Sequence, residues 1–309
     1  MSRTRPTRSR SLPLLLALPL VAAVALSACS LESSADRTSA GAADSQAPVF
    51  DQLPQEIQKS GAIKVGSSID YPPFEYYEGK ELTGFEVDLA KELEKQLGVK
   101  LQWNNAAFDT LLPSLKSNRY DIIYGATNDT AEREQTYDFV YYLQSSQGFV
   151  TAKGKADKIQ KVEDICGQVI AAVRGGVQAQ YLDAQSKTCV KDGLKPIKIL
   201  TFDGNSQEQV AVKGGRALAM LENYPTAATF VDDSKGALEL APLQVEKRYF
   251  GMVVNKKDTE LRDALVSAWQ GIIDDGSYDK VLKKWGLTDI GIDKAGVNAV
   301  ESGLGEKKE

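Results

Sequence analysis

The order of strand and helix patterns along the chain is the feature that most restricts its fold. Short apolar runs typical of buried strands alternate with segments whose apolar residues recur at helical spacing. In the first half, strands are predicted at 63–67, 100–103 and 121–126, and helices at 87–97 and 111–117. The alternation returns with strands at 169–173, 198–202 and 217–221 and helices at 177–185 and 206–213. Two βαβ blocks predict an α/β fold with two lobes and a ligand cleft between them.

A strand at 252–255 and helices at 259–274 and 278–285 complete the predicted pattern. This body of the chain contains no apolar segment long enough to cross a bilayer.

The N-terminus has the composition of an export signal, predicted over residues 1–28. Four arginines precede an apolar run at 12–26, which is short for a membrane span and has the length of a signal core. The run ends in Leu26-Ser27-Ala28-Cys29, which resembles the lipobox of bacterial lipoproteins. The resemblance implies cleavage before Cys29 and a lipid anchor on its thiol. An ordinary secretory signal with an incidental cysteine, or an N-terminal membrane anchor, is the alternative.

Composition predicts a flexible tether over residues 29–54 and a polar tail over 291–309 that frays from about Ala295. Such segments bury too little apolar surface to offset their conformational entropy. The sequence has 37 basic and 42 acidic residues, and loss of the four leader arginines leaves 33 basic ones, a net charge of about −9. This charge argues against nucleic acid as a partner.

The counts of cysteine and histidine limit the chemistry. With Cys29 lipidated, Cys166 and Cys189 form an even pair in an oxidising compartment, so a disulfide is predicted, with two free buried thiols as the alternative. The chain has no histidine. Imidazole catalysis is therefore excluded, no metal site is expected, and no cofactor is predicted.

Four sequence blocks resemble the bacterial extracellular solute-binding proteins of family 3, the polar amino acid receptors of ABC importers. They lie in this order: Tyr71-Pro-Pro-Phe-Glu75 with Gly84-Phe-Glu-Val-Asp-Leu-Ala90; Phe108-Asp-Thr-Leu-Leu-Pro-Ser-Leu115 with Tyr120-Asp-Ile-Ile123; Thr130-Ala-Glu-Arg133 with Asp138-Phe139 and Tyr141-Tyr142; and Gly276-Ser-Tyr-Asp-Lys280 with Lys284-Trp285-Gly286. Together the blocks cover residues 61 to 286.

The resemblance implies a type II periplasmic-binding-protein fold, in which two lobes joined by two crossing segments close over the ligand. The crossings are expected near 147–151 and 246–251. Lobe 1 would comprise 55–148 and 251–290, and lobe 2 would comprise 149–250. The implied protein is a monomeric, lipid-anchored receptor on the extracytoplasmic face of the cell membrane, which delivers an amino acid or analogue to an ABC permease.

Arg133 is the main candidate for binding the ligand, because the resembled family pairs this arginine with the α-carboxylate. A planar guanidinium matches a carboxylate with two charge-assisted hydrogen bonds. The alternative is a surface arginine paired with Glu132 or Glu134. Tyr71 and Phe108 match aromatic positions of the cleft wall, or else pack in the core.

Three residues precede Arg133 at a predicted strand end, namely Gly125, Ala126 and Asn128. The family uses this turn to contact the ligand, and here Gly125 and Ala126 can offer only backbone atoms. Asn128 either offers its amide or forms a turn. In the second lobe, Gly176 and Val177 match a loop at a helix N-terminus, where backbone N–H groups can bind a carboxylate. The same glycine would also suit a tight turn.

The ammonium site departs from the family pattern. Where relatives have an aspartate, the register places Asn223, and Glu222 is its neighbour. Whether Glu222 takes the role, or the ligand lacks a normal α-ammonium, stays open at this point. Ser68 stands where receptors for basic amino acids often have an aspartate, so a neutral polar or acidic ligand is favoured.

Two other functions remain possible for such a sequence. Some relatives are dehydratases of cyclic carboxylates, and a desolvated Glu222 could act as the acid. The lipobox and tether favour a receptor, so we expect no enzyme. A sensory or adhesive lipoprotein without a transport partner is the second alternative.

Overall fold

The structure is a computed structural model that describes residues 43–304. The predicted signal peptide, the lipidation site at Cys29 and most of the predicted tether lie outside this range. The strands are β1 Ala62–Ser67, β2 Tyr76–Glu78, β3 Glu81–Thr83, β4 Lys100–Asn105, β5 Ile122–Ile123, β6 Tyr137–Ala152, β7 Val169–Val173, β8 Lys198–Phe202, β9 Ala219–Asn223, β10 Leu238–Asn255 and β11 Gly296–Val297. The helices are α1 Gln55–Ser60, α2 Phe85–Leu97, α3 Phe108–Lys116, α4 Ala131–Glu134, α5 Val177–Lys191, α6 Asn205–Lys213, α7 Tyr224–Asp233, α8 Thr259–Asp274 and α9 Ser277–Trp285.

Within residues 43–304, nine strands form one mixed sheet in the order β4-β1-β5-β10-β6-β9-β7-β8, with β11 paired to β6. β1 runs parallel to β4 and β5, and β7 runs parallel to β8 and β9. These are the two predicted parallel blocks. The long strands β6 and β10 are antiparallel to each other and connect the blocks. The α/β prediction is therefore confirmed.

Each block has its own hydrophobic core, which defines two lobes. In lobe 1, Trp269 stacks on Tyr142 with ring centroids 4.5 Å apart, and both are fully buried. In lobe 2, Phe149 and Leu221 are fully buried in a separate cluster. Both lobes have buried apolar residues on each face of the sheet, as strands covered by helices on both sides require.

The chain passes between the lobes twice, along β6 and β10. On β6, Leu143 packs in the core of lobe 1 and Phe149 in that of lobe 2. The first crossing therefore precedes Phe149, earlier than most of the expected 147–151. On β10 the ladder shifts register between Val245 and Lys247, and Glu246 has a positive φ of 39°. This irregularity lies within the expected second crossing, while the lobe boundaries themselves stay a prediction.

Both ends of the described chain pack more firmly than composition indicates. The tether was expected to reach residue 54, but Val49, Phe50 and Leu53 are buried against lobe 1. The tail was expected to fray from Ala295, but β11 pairs with β6 and Ala299 is fully buried. Both expectations are wrong for these residues, because a few apolar side chains suffice to anchor a segment of polar average composition.

Several elements differ from the sequence prediction. The strand expected at 121–126 is limited to Ile122–Ile123, and the strand at 252–255 is the end of the much longer β10. Helix α7 was missed because Pro225 indicates a break. It lies at the start of the helix, where its missing N–H has no intrahelical partner to lose. No helix among the described residues is long and apolar enough to span a membrane.

The predicted disulfide is confirmed: Cys166 is bonded to Cys189, with Cα atoms 5.7 Å apart and a sequence separation of 23. It links the loop before β7 to helix α5 in lobe 2. Cross-linking two points of the chain restricts the unfolded state.

We expect the Cys166→Ala/Cys189→Ala double variant to lose about 3 kcal/mol of unfolding free energy, because the unfolded chain regains the entropy of the open loop. Urea denaturation of both proteins measures this difference. An unchanged unfolding midpoint would contradict the prediction.

Candidate functional site

A cleft between the two lobes collects the predicted ligand residues. It contains about 460 Å³ of unfilled space, counting the part open to solvent. All the predicted ligand residues except Arg133 line it. The lining residues are Ser68, Tyr71, Glu75, Phe108, Gly125, Ala126, Asn128, Val173, Gly176, Val177, Gln178, Asn205, Glu222 and Asn223.

The lining residues lie where strands end and helices begin. β1, β5 and β9 each lead to the cleft at their carboxyl ends, and α3, α5 and α6 begin there at Phe108, Val177 and Asn205. Ligands of open α/β sheets bind at such strand ends, and the first-turn N–H groups of a helix have no partner within it. The fold therefore directs backbone donors into the cleft from both lobes.

Arg133 lies directly behind the cleft wall, on the short helix α4. Its side chain is buried, and the guanidinium donates to the carbonyl oxygens of Asn128 (2.8 Å) and Gly175 (3.1 Å). Its Cζ atom lies 5.7 Å from the centre of the Phe108 ring. Burial lowers the pKa of Arg133 to about 10, so the group stays charged at neutral pH. The alternative of a surface arginine is wrong, because these partners join lobe 1 to the Gly175–Gly176 turn of lobe 2.

Gly125 occupies a position that only glycine can fill. Its φ is 148°, and a Cβ atom there would lie 2.5 Å from Glu75 Oε1 and 2.6 Å from Ser67 Oγ. The Ser67 hydroxyl donates to Glu75 Oε1 (3.2 Å), which places a carboxyl group at the cleft wall. Glycine at this position therefore leaves room for the carboxyl group of Glu75 beside the backbone, where both residues line the cleft.

Glu75 belongs to a buried carboxyl pair with Glu86. Burial and then the neighbouring Glu86 raise the pKa of Glu75 well above its ordinary range. Glu86 accepts hydrogen bonds from the Ala126 N–H and the Tyr142 hydroxyl, which favour its charged form and limit the rise of its pKa caused by burial. The donors to Glu86 therefore favour negative charge on Glu86, while the pKa of Glu75 is raised.

A second carboxyl pair lies in lobe 2. Glu222 Oε1 accepts from the amide of Asn205 (2.7 Å), and Oε2 accepts from the hydroxyl of Tyr71 in lobe 1 (3.1 Å). Burial and the charge of Glu222 raise the pKa of Glu208 well above its ordinary range. Burial also raises the pKa of Glu222, opposed by hydrogen bonds from Glu208, Asn205 and Tyr71. Three donors thus support a charge on Glu222 at the cleft wall.

Asn223 is held by other amides rather than by a charged group. Its side-chain oxygen accepts long hydrogen bonds from Asn128 and Gln178, each 3.4 Å. Gln178 also donates to Gln147 at 2.7 Å. The carboxylate that the cleft presents at this end therefore comes from Glu222, while Asn223 connects the two lobes through Asn128.

Further contacts bridge the lobes at the mouth of the cleft. Arg174 of lobe 2 lies 3.1 Å from Asp203 in the same lobe and 3.8 Å from Asp109, in the first turn of α3 in lobe 1. Ser206 donates to Asp70 at 2.8 Å. These groups are exposed, so each contact contributes little by itself.

The profile of the bacterial extracellular solute-binding proteins, family 3, matches residues 63–288. The chain belongs to this family. ArgT, the arginine-binding protein of Corynebacterium glutamicum, is 26% identical over 248 residues, covering 80% of this chain and 81% of ArgT. Holo ArgBP from T. maritima is 29% identical with a TM-score of 0.65, over 75% of this chain and 99% of that protein. AncCDT-1, an ancestral amino acid-binding protein and precursor of cyclohexadienyl dehydratase, is 32% identical with a TM-score of 0.64, over 75% of this chain and 98% of its own.

These matches confirm the predicted family and the two-lobe fold. The chain is thus a member of a family of amino acid-binding proteins of ABC transporters. The curated relatives are transport binding proteins. Their amino acids include arginine, histidine and cystine, rather than the neutral polar or acidic ligands that the sequence favoured.

Sequence reasoning missed four lining residues of this solute-binding protein, namely Glu75, Val173, Gln178 and Asn205. Glu75 ends a block already compared with the family, Val173 ends the strand predicted at 169–173, and Gln178 lies in the helix predicted at 177–185. Asn205 directly precedes the helix predicted at 206–213. A signal was therefore present at each position. It was the burial of charged and amide side chains that the sequence did not reveal.

The Glu208–Glu222 pair predicts a pH dependence of stability. The pKa of Glu208 is raised in the folded protein, so its stabilising contribution is present at low pH and is lost as pH rises through the folded pKa. In Glu208→Gln, the amide still donates to Glu222 and accepts from Asn205, but nothing titrates. We expect the fall in melting temperature between pH 5 and pH 8 to be smaller by a few degrees in this variant.

Thermal denaturation at the two pH values provides the measurement. The exposed Glu163→Gln serves as the control and should keep the dependence of the unchanged protein. If the melting temperatures of Glu208→Gln and the wild-type protein change in parallel with pH, the pKa of Glu208 is not raised by folding.

Proposed function

We propose that this protein captures an amino acid with a free α-carboxylate and α-ammonium and delivers it to an ABC permease. The observation that carries the proposal is the pairing of opposite charges around one cleft. Within residues 43–304, the buried guanidinium of Arg133, directly behind the cleft wall, donates hydrogen bonds only to carbonyl groups, and the buried carboxyl group of Glu222 lines the cleft. An amphoteric ligand complements both groups.

The α-carboxylate is assigned to the corner formed by Arg133 and the start of α5. Arg133 contacts Gly175, and the next residue, Gly176, caps the fifteen-residue helix α5. A carboxylate there meets the guanidinium fork and the N–H groups of the first helical turn. Phe108, beneath Arg133, limits the access of water to this salt bridge.

The α-ammonium is assigned to Glu222 rather than Asn223. Hydrogen bonds from Asn205 and Tyr71 favour the charged form of Glu222, whereas Asn223 offers an amide oxygen already shared by two amide donors. Tyr71 donates to Glu222 and lines the cleft, so its ring is placed to cover the ligand's carbon atoms.

For the ligand side chain we propose a basic or neutral polar group. The cleft lining contains the carboxyl groups of Glu75 and Glu222, and behind it the donors to Glu86 favour the charged form of that carboxyl group. A second carboxylate on the ligand would lie near these like charges. This argument removes acidic ligands from the earlier expectation, and the arginine-binding relatives support the basic option.

The Arg133→Ala variant tests the carboxylate site. Truncating one partner of a buried charge pair costs at least about 2 kcal/mol, so we expect the Kd for the best amino acid ligand to rise at least 30-fold. A thermal-shift screen of the standard amino acids identifies that ligand, and calorimetry gives its Kd. Arg119→Ala, at an exposed arginine distant from the cleft, is the control.

Glu222→Gln and Asn223→Ala separate the two assignments for the ammonium. If Glu222 accepts it, Glu222→Gln weakens binding more strongly than Asn223→Ala. If Asn223→Ala weakens binding more strongly than Glu222→Gln, Asn223 is the residue that accepts the ammonium. Unchanged binding by Arg133→Ala would reject the proposed site altogether.

A dehydratase is the second candidate, because AncCDT-1 precedes such an enzyme and burial raises the pKa of Glu222. The same cleft would hold a cyclic carboxylate on Arg133 and present Glu222 as an acid. Turnover of a cyclohexadienyl acid, lost in Glu222→Gln, would favour this function over transport.

We further propose that a lipid on Cys29 anchors the protein, as a monomer, at the outer face of the cell membrane. The support is the leader sequence ending in Leu26-Ser27-Ala28-Cys29. We expect Cys29→Ala to lose incorporation of labelled fatty acid and to pass from the membrane fraction to the soluble fraction. A membrane-bound, unlabelled Cys29→Ala protein would instead indicate an uncleaved anchor.

A further inference from the structure

Residues 295–301, here called the C-terminal strap, form a structural addition beyond the family match, which ends at residue 288. Within the strap, β11 pairs antiparallel with β6, Gly296 opposite Tyr141 and Val297 opposite Val140. Ala295 and Ala299 are buried. The strap therefore covers the edge of β6 that lobe 1 would otherwise leave open.

Asn298 fixes the strap in place with three hydrogen bonds. Its backbone N–H donates to the carbonyl of Phe139 (2.9 Å), and its side-chain oxygen accepts from the Phe139 N–H (2.9 Å). Its side-chain nitrogen donates to Asp138 (3.1 Å). Asn298 has a φ of 54°, a conformation that asparagine adopts more readily than most residues.

The next three N–H groups of the strap all bind carboxylates. Ala299 donates to Asp129 Oδ2 (2.8 Å). Val300 and Glu301 donate to the two oxygens of Glu134, each at 2.9 Å. Three successive backbone donors thus hold two buried acidic side chains.

Those two carboxylates bracket the ligand-site arginine. Asp129 follows Asn128, whose carbonyl accepts from Arg133, and Glu134 is the residue after Arg133. Asp129 is 2% exposed and Glu134 is 6% exposed. Burial, followed by the charge of Glu134, raises the pKa of Asp129 to about 8, and the Ala299 N–H opposes this rise. Both side chains are thus buried carboxyl groups, which require hydrogen-bond donors to offset their loss of hydration.

We propose that the C-terminal strap is a positioning element that keeps Arg133 available for the ligand carboxylate, by binding Asp129 and Glu134 with its own N–H groups. The inference rests on the proposed role of Arg133. A guanidinium forms stronger hydrogen bonds with a carboxylate than with a carbonyl. Without the strap, Asp129 or Glu134 competes for Arg133, and the ligand must displace an internal ion pair instead of two carbonyl contacts.

The test compares the mature chain with a chain ending at Lys294, which lacks the strap, and with a control ending at Leu304. L-arginine and L-glutamine are titrated by calorimetry. Loss of the strap is expected to raise the Kd about tenfold, a change of roughly 1.4 kcal/mol, whereas the control keeps its Kd.

A rescue separates positioning from general structural support. In the chain ending at Lys294, Asp129→Asn/Glu134→Gln removes both competing carboxyl groups, and we expect the Kd to return to within about twofold of the full chain. A role limited to stabilising the fold predicts no such recovery. If the shortened chain does not fold, Asn298→Ala in the full chain releases the strap, and the same double substitution provides the rescue.

The outcomes distinguish this inference from the proposed function. An unchanged Kd without the strap, or weakened binding that the double substitution fails to restore, overturns the positioning role alone, provided that Arg133→Ala weakens binding as expected. If Arg133→Ala binds as tightly as the full chain, the carboxylate site is wrong and the inference falls with it. Absence of binding of any standard amino acid to the full chain overturns both.

Discussion

The antiparallel pairing of β6 with β10 is the constraint on which the other parts of the structure depend. The ladder runs from Leu238 opposite Ala152 in lobe 2 to Asn255 opposite Tyr137 in lobe 1. β5 and β9 attach to its two ends, and β11 adds to β6 in lobe 1. Because one pair of strands belongs to both cores, the cleft walls are built on a shared backbone, and residues far apart in sequence meet there.

Two pairs of buried carboxyl groups lie at the walls of this cleft. Two ionised carboxylates side by side would be strongly unfavourable in a desolvated site. In each pair, Glu75 with Glu86 and Glu208 with Glu222, burial and the charge of the neighbour raise the pKa of one carboxyl group, Glu75 or Glu208. Hydrogen-bond donors favour the charged form of Glu86 behind the wall and of Glu222 at the wall. The placement of donors around each pair therefore favours negative charge on the cleft wall at Glu222.

Much of the fold could be predicted from the sequence, because strand and helix periods reflect burial directly. β7 and β8 match their predicted bounds. The rule that ligands bind at strand ends predicts where the cleft lies, whereas its individual residues were expected from the resemblance to the family. The middle of β6 could not be predicted, since Gln144-Ser145-Ser146-Gln147 is polar. It forms a strand because the β10 ladder satisfies its backbone, and Gln147 finds Gln178 inside the cleft.

The buried acids of the site were harder to predict than its aromatic and glycine residues. Local sequence presents Glu75, Glu208 and Glu222 as ordinary charged residues, which are mostly exposed in proteins. Their burial depends on donors from distant parts of the chain, such as the Tyr71 hydroxyl. The partners of Asp129 and Glu134 are more distant still, more than 160 positions away along the chain.

The hydrogen bonds that already join the lobes have a consequence for affinity. Tyr71 donates to Glu222 across the cleft, and Arg133 donates to Gly175 across it. An amino acid that takes Glu222 and Arg133 as its partners therefore exchanges contacts rather than adding them, and its net gain is the difference between new and replaced bonds. Selectivity then follows from how well each ligand reproduces bonds that the protein can make with itself. A ligand that forms weaker bonds to Glu222 and Arg133 than the Tyr71 hydroxyl and the Gly175 carbonyl do cannot replace these groups favourably, even if it makes other contacts in the cleft.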